Sequence, residues 1–243
     1  MNIHIEPDEQ QMSLKAANLV AECIRKNPRS LLCFAGGDTP VPVYRRLVAA
    51  ASLKQVDFRE CRFVGLDEWI GMGAADEGSC RFLLERELFK PLGISEEKIC
   101  FFNGKAADVK EECRKINAWV DKFGPVEVAL LGIGVNGHLG FNEPGTSFDS
   151  LANTIELQDI TCKVGQKYFT ETKNLSMGIT LGLAQIYQSR TAILVASGPN
   201  KTAIIKKLMD CEVGLDLPAG ILKTHPNSHL FLDEAAALEI SKP

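Results

Sequence analysis

Residues 129–144, ALLGIGVNGHLGFNEP, decide the fold of this chain. Val128, Ala129, Leu130 and Leu131 form an apolar run of strand length that stops at glycines, and Asn136, His138, Asn142 and Glu143 follow within a few residues. A buried strand that breaks into a glycine-rich loop carrying an amide, an imidazole and a carboxylate is suited to chemistry, not only to turning the chain. In an open α/β sheet, ligands bind outside the carboxyl ends of the strands, where such loops lie. Histidine is the side chain whose unperturbed titration falls near neutral pH, which suits His138 to acid–base work.

The same pattern recurs upstream. Residues 8–26 place Leu14, Ala17, Leu19, Val20, Cys23 and Ile24 at helical spacing, and Pro28 ends that helix. Residues 31–34 predict a short buried strand, broken by AGGDTP at 35–40. Pro40 suits the first turn of the next helix, whose apolar face is Val43, Tyr44, Leu47 and Val48. A glycine loop entering a helix presents backbone N–H groups and a helix dipole to an anion. Gly36, Gly37, Asp38 and Thr39 are therefore candidates to cradle a phosphate, although a tight ligand-free turn uses similar residues.

Residues 61–66, CRFVGL, predict a strand that delivers Asp67 and Glu68 to its carboxyl end. Successive strand side chains point oppositely, so one of the two carboxylates faces a pocket there, and capping of the turn is the alternative role. Residues 79–92 and 108–123 predict amphipathic helices, with a short strand at 99–102 between them and the strand 126–133 feeding the opening loop.

Downstream, residues 146–173 are polar and weakly periodic, the composition of a lid insertion after a site loop. Lys167 lies in its second half, with Tyr168 and Phe169 as lid packing. A helix is predicted to open at 177–186 and a strand at 191–196. Ser197-Gly198-Pro199-Asn200-Lys201 then begins another helix and brings Lys201 to a second strand-to-helix loop. A last helical turn starts at Pro218, the final strand covers 228–232, and the tail is acidic and alanine-rich. With no internal repeat or linker, the expectation is one domain over 1–243. Its class is α/β: a doubly wound, mostly parallel sheet with helices on both faces and a lid near 146–173.

Bulk composition narrows the partners. The chain has 243 residues, 45% hydrophobic and 24% charged, enough for a substantial core. A net charge of −4 supplies no overall basic field for nucleic acid or a membrane surface, and no apolar run reaches bilayer-spanning length. The eight cysteines include no CxxC pair and no signal peptide precedes them, so reduced thiols in a cytoplasmic protein are expected. No His/Cys cluster has zinc-ligand spacing, so no metal is expected. His4 is expected near a frayed terminus, and His225 as a structural residue near the site, with His229 also flanking the last strand.

GLDEW, GIGVNGHLGFNEPG and ASGPNK together resemble the glucosamine-6-phosphate deaminase family, which is related to the 6-phosphogluconolactonases. The resemblance runs from the GGDTP loop to the last strand. It implies conversion of a 2-amino-2-deoxyhexose 6-phosphate into a ketose 6-phosphate and ammonia, with no redox cofactor or catalytic metal. It implies that His138 opens the sugar ring, Glu143 orients and charges that histidine, and Asp67 takes the C2 proton and returns it at C1. It assigns the phosphate to the 36–39 loop and Lys201, with Lys167 reaching in from the lid; Glu68, beside Asp67 at the strand end, is a further candidate for the substrate site.

Three residues depart from the family pattern. Asn136 stands where the hexameric enteric-type enzymes have aspartate, Lys167 where the lid usually offers arginine, and Asp38 where the loop is usually small or hydroxylic. With LDEW in place of LDEY, these departures also resemble proteins described as galactosamine-6-phosphate isomerases. The competing expectations are a 6-phosphogluconolactonase-type hydrolase and a catalytically degenerate sugar-phosphate-binding paralogue. The shorter relatives imply a monomer or small homo-oligomer.

Overall fold

The chain enters through a strand that its apolar pattern does not announce. In a computed structural model that describes residues 1–240, β1 (Asn2–Glu6) forms one edge of the central sheet by parallel pairing with the last strand. His4 is thus no frayed residue: its ring stacks 4.3 Å from that of Phe231, and its Nε2 lies 3.1 Å from His229 Nδ1. Residues 241–243, which end the tail and the domain expected over 1–243, lie outside the described residues.

Helix α1 (Glu9–Lys26) starts where Asp8 accepts a hydrogen bond from Gln11 N, and buries Met12, Ala16, Val20 and Ile24. β2 (Leu31–Phe34), α2 (Val41–Ser52) and β3 (Arg62–Gly65) follow as predicted, with β3 one residue shorter at each end. The next strand, β4 (Asp67–Trp69), leaves the sheet. The helix of 79–92 is three pieces: α3 (Cys80–Leu84), a π-helical turn (Glu85–Phe89) and α4 (Lys90–Leu92). β5 (Ile99–Cys100), α5 (Val109–Phe123) and β6 (Val128–Gly132) then lead to the opening loop.

Residues 146–173 contain more order than their composition suggests, with β7 (Asn153–Glu156), α6 (Asp159–Gly165) and a 3-10 turn (Gln166–Tyr168). The helix predicted over 177–186 is corrected. Met177–Thr180 is strand β8, and only Leu183–Tyr187 is helical, as α7. Gly178, β-branched Ile179 and Thr180, and Gly182 are weak helix formers, and pairing with β4 and β7 settles the segment as extended. β9 (Thr191–Ala196), α8 (Thr202–Asp210) and β10 (Ser228–Asp233) complete the chain.

The central sheet has seven strands in the order β1-β10-β9-β6-β2-β3-β5, every pair parallel. β2, β6 and β9 are buried almost throughout, as strands covered on both faces must be. α1 and α2 pack together on one face, and the rule of right-handed crossovers sets α5 and α8 on the other, where the strand order runs back. The order reverses between β2 and β6, opening a crevice at their carboxyl ends. Across that edge lies a small antiparallel sheet, β4-β8-β7. His225 precedes β10 and so sits at the opposite, amino-terminal edge, where its ring contacts Ser189 O and receives the Asn227 N–H; it is structural, but not near the site. All eight cysteines are free, five of them buried.

Candidate active site

A cavity of about 160 Å³ occupies the crevice at the strand reversal. Its walls are the β2–α2 loop with Gly36, Gly37, Asp38 and Thr39, the β6 loop with His138, and Asp67 between them. Lys201 lines one end, and Thr161, Lys167 and Tyr168 close it from the lid. Eight of the eleven residues singled out in the sequence line this one space.

Asp67 arrives there because β3 ends at Gly65 and the chain turns into β4. It is 7% exposed, and its Oδ1 has no hydrogen-bond partner. Burial is the main force raising its carboxyl, reinforced by neighbouring Glu68 and opposed by a hydrogen bond from the Cys80 thiol, and together they push it up to about 7. A buried carboxylate with a free oxygen facing a cavity and a titration near neutrality has the properties of a general base.

Glu68 takes the other direction, and the expectation that it belongs to the substrate site is corrected. Its side chain is fully buried, absent from the cavity wall, and accepts hydrogen bonds from Ser79 Oγ (2.7 Å), Cys80 N (3.1 Å) and Arg81 N (3.0 Å). Strand alternation sends the adjacent carboxylates apart: one into the cavity, one onto the first turn of α3. Glu68→Ala strands these buried donors and is expected to lower unfolding free energy by about 3 kcal/mol. Urea denaturation that matches the parent within error would contradict this structural role.

The β6 loop shapes a second group. A Cβ on Gly134 would lie 2.3 Å from His138 Nε2, so only glycine lets the imidazole pack over the loop backbone. Gly137, at φ +89, turns the chain in the left-handed region. Glu143 stands behind the ring, its Oε2 3.6 Å from His138 Nδ1. Burial alone would raise Glu143, but hydrogen bonds to His138 and Thr161 outweigh it and hold the carboxyl below its usual range. Asn136 Nδ2 donates to Glu143 Oε2 (2.6 Å) and to Gln158 Oε1 (2.9 Å). Neither Asn136 nor Glu143 lines the cavity; both bear on it through His138. Asn142 is wholly buried and donates to Leu139 O and Leu181 O, which ties the loop down.

Thr161 belongs to this group and is not singled out by its sequence. Its Oγ1 lies 3.3 Å from His138 Nδ1, and its side chain also hydrogen-bonds Glu143. Gln158 N donates to Glu143 Oε1 at 3.3 Å. Both residues come from the lid, so seating α6 over the cavity completes the surroundings of the imidazole. Thr161 and Cys80 carry no local signal: one lies in a polar, weakly periodic stretch, the other inside an apolar helix face.

At the other end, α2 follows the 36–39 loop without a side-chain cap; Val41 N donates to Asp38 O at 3.0 Å and Pro42 has no N–H, so the backbone donors left for an anion are those of the loop itself. Gly36 is needed because a Cβ there would meet Cys80 Cβ at 2.4 Å. Lys201 Nζ donates to Ile133 O at 2.7 Å, and burial together with the Lys167 charge lowers its titration. Lys167 Nζ pairs with Asp38 Oδ2 at 2.8 Å across the cavity mouth. Among the described residues no three His, Cys, Asp or Glu side chains converge as metal ligands do, and no helix is long and apolar enough to cross a membrane.

Comparison with known proteins bears on this geometry. The pattern of the glucosamine-6-phosphate isomerases/6-phosphogluconolactonase family matches residues 7–231. A glucosamine-6-phosphate deaminase of Shouchella clausii is 38% identical over 98% of this chain and 96% of its own. One from Bacillus pumilus is 33% identical over 97% and 98%. The solved structure of a monomeric glucosamine-6-phosphate deaminase superposes with a TM-score of 0.94 at 31% identity, covering 98% of this chain and 99% of the other. A 6-phosphogluconolactonase from Trypanosoma brucei shares the fold at 20% identity, with a TM-score of 0.77 over 99% and 98%.

Proposed function

This chain belongs to the glucosamine-6-phosphate isomerases/6-phosphogluconolactonase family, and we propose that it converts a 2-amino-2-deoxyhexose 6-phosphate into the ketose 6-phosphate and ammonia. The observation that carries this reading is Asp67: a buried carboxylate with one unpartnered oxygen, raised to about 7, in the same cavity as His138.

The phosphate seats at the 36–39 loop, with the loop's backbone N–H groups, Lys201 and Lys167 as its donors. Its anchoring at one end sets the sugar between Asp67 and His138. His138 moves a proton between the ring oxygen and the C1 hydroxyl, opening the ring to the aldehyde, while Glu143, 3.6 Å from Nδ1, orients the imidazole. Asp67 then removes the C2 proton, and the electron pair passes through C1 to O1, which takes a proton from the 2-ammonium group of the substrate to give an enolamine. Return of that proton to C1 leaves an imine at C2, which water hydrolyses to the ketone with release of ammonia. The carboxylate serves as base and then as acid, a cycle helped by a titration near working pH.

Both C4 epimers, glucosamine 6-phosphate and galactosamine 6-phosphate, are proposed as substrates for a single cytoplasmic domain acting as a monomer or small homo-oligomer. Free thiols suit a reducing compartment. A coupled assay tests the reaction: fructose 6-phosphate and ammonia form from glucosamine 6-phosphate, and tagatose 6-phosphate and ammonia from its epimer. Hydrolysis of 6-phosphogluconolactone with no ammonia from either sugar would move the protein to the lactonase reaction. A sugar phosphate that raises the melting temperature without turnover would make it a binding paralogue.

A further inference from the structure

We propose that Asp38 is a resident competitor for the anionic end of the substrate: it holds Lys167 in the empty cavity and surrenders it when a phosphate enters. The inference rests on the phosphate seat proposed above and concerns what determines its affinity.

Two lysines line the cavity, and they are held differently. Lys201 is half-buried and donates from its ammonium to Ile133 O at 2.7 Å, a backbone carbonyl of the β6 loop. Lys167 is about half exposed, stands on a short 3-10 turn of the lid, and among the described residues has the Asp38 carboxylate as its one salt-bridge partner, at 2.8 Å. Its ammonium also lies 4.9 Å from the centroid of the Tyr168 ring. The Tyr168 hydroxyl reaches over the same loop, close to Gly37, and the Asp38 backbone N–H is directed at it. Lys167, a group an incoming phosphate would use, is therefore already engaged by a contact between lid and loop, and the Tyr168 hydroxyl leans over the loop backbone beside it.

The sign of the effect follows from both ends of the binding reaction. Before binding, the Asp38 carboxylate stabilises the empty state by pairing with Lys167. After binding, the same carboxylate faces a dianion within the same loop. Each effect opposes phosphate, and both vanish when the carboxylate becomes an amide. The pair is solvent-exposed, Lys167 51% and Asp38 59% by side chain, and exposed ion pairs are weak and screened. The gain is then several-fold, on the order of 3- to 10-fold in dissociation constant, and shrinks as salt is added.

Calorimetric titration with inorganic phosphate, on the parent, Asp38→Asn, Lys167→Met and the double variant, tests this at low and high salt. Asp38→Asn is expected to bind phosphate about 3- to 10-fold more tightly than the parent, with a parallel fall in KM for the amino-sugar phosphate. Lys167→Met is expected to weaken binding more in the Asp38→Asn background than in the parent, because only there is the lysine free before the ligand arrives. Asp38→Ser, which removes the charge with a smaller side chain, repeats the measurement. Equal or weaker phosphate binding by both Asp38 variants, with the parent binding measurably, overturns the competitor role and leaves the seat intact. If neither parent nor variants bind phosphate while their melting curves are unchanged, the seat itself is wrong and the inference falls with it.

Discussion

Asp67→Asn is expected to lower kcat by about 10³-fold or more, since a positioned general base contributes roughly 10²–10⁴ and an amide cannot accept the C2 proton at all. The decisive measurement is exchange of the C2 hydrogen with deuterated solvent, which the variant should lose while still binding inorganic phosphate at the far end of the cavity. Exchange retained at the parental rate would remove Asp67 from the base role. The pH profile gives an independent check. The base must be ionised to act, and burial and Glu68 push its carboxyl up to about 7, so kcat/KM should fall as pH drops below 7. An ordinary carboxylate would hold activity down to about pH 5.

The same shift has a consequence for stability. The folded state holds the carboxyl protonated to a higher pH than the unfolded chain does. Ionisation therefore costs stability progressively as pH rises from the ordinary carboxylate value to about 7, and the full cost remains above that. Asp67→Asn removes this cost, so at pH 8 the inactive variant should unfold at higher urea than the parent. Such a trade of stability for function is expected where a charge is held in a buried site.

His138→Gln carries the second large effect, a fall in kcat of about 10²- to 10³-fold. Glutamine keeps a polar group over Gly134 but cannot relay a proton between the ring oxygen and the C1 hydroxyl. Residual turnover should draw on the small fraction of sugar that opens spontaneously. Binding of an open-chain analogue, 2-amino-2-deoxyglucitol 6-phosphate, should be nearly unchanged, because it needs no ring opening. A kcat within a few-fold of the parent would show that ring opening is not catalysed by this imidazole.

Most of the architecture was legible from local pattern. The apolar runs at 31–34, 128–131 and 191–196 announced three adjacent strands of the central sheet, because strands buried on both faces have no polar residues to disguise them. The glycines after them placed the loops at the carboxyl edge, and eight of the singled-out side chains do line one cavity there. Local pattern failed at β1 and β8. β1 is half exposed at a sheet edge, and β8 runs directly into the apolar residues of α7, so the two read as one element until β4 and β7 pair with the first of them.

By itself, then, the sequence determined the order of the inner strands of the central sheet with their glycine loops and helices, and most of the residues carried to the edge where ligands bind. Periodicity and turn chemistry act over a few residues, so they can be read without knowing what lies across the fold. The tertiary structure alone decided what those residues meet. It sent Glu68 to the helix and Asp67 to the cavity, brought Thr161 from the lid to the imidazole, and set Lys167 against Asp38. These contacts span 23 to 129 residues for the lid pairs, and only packing of the whole sheet and lid fixes separations that local sequence does not encode.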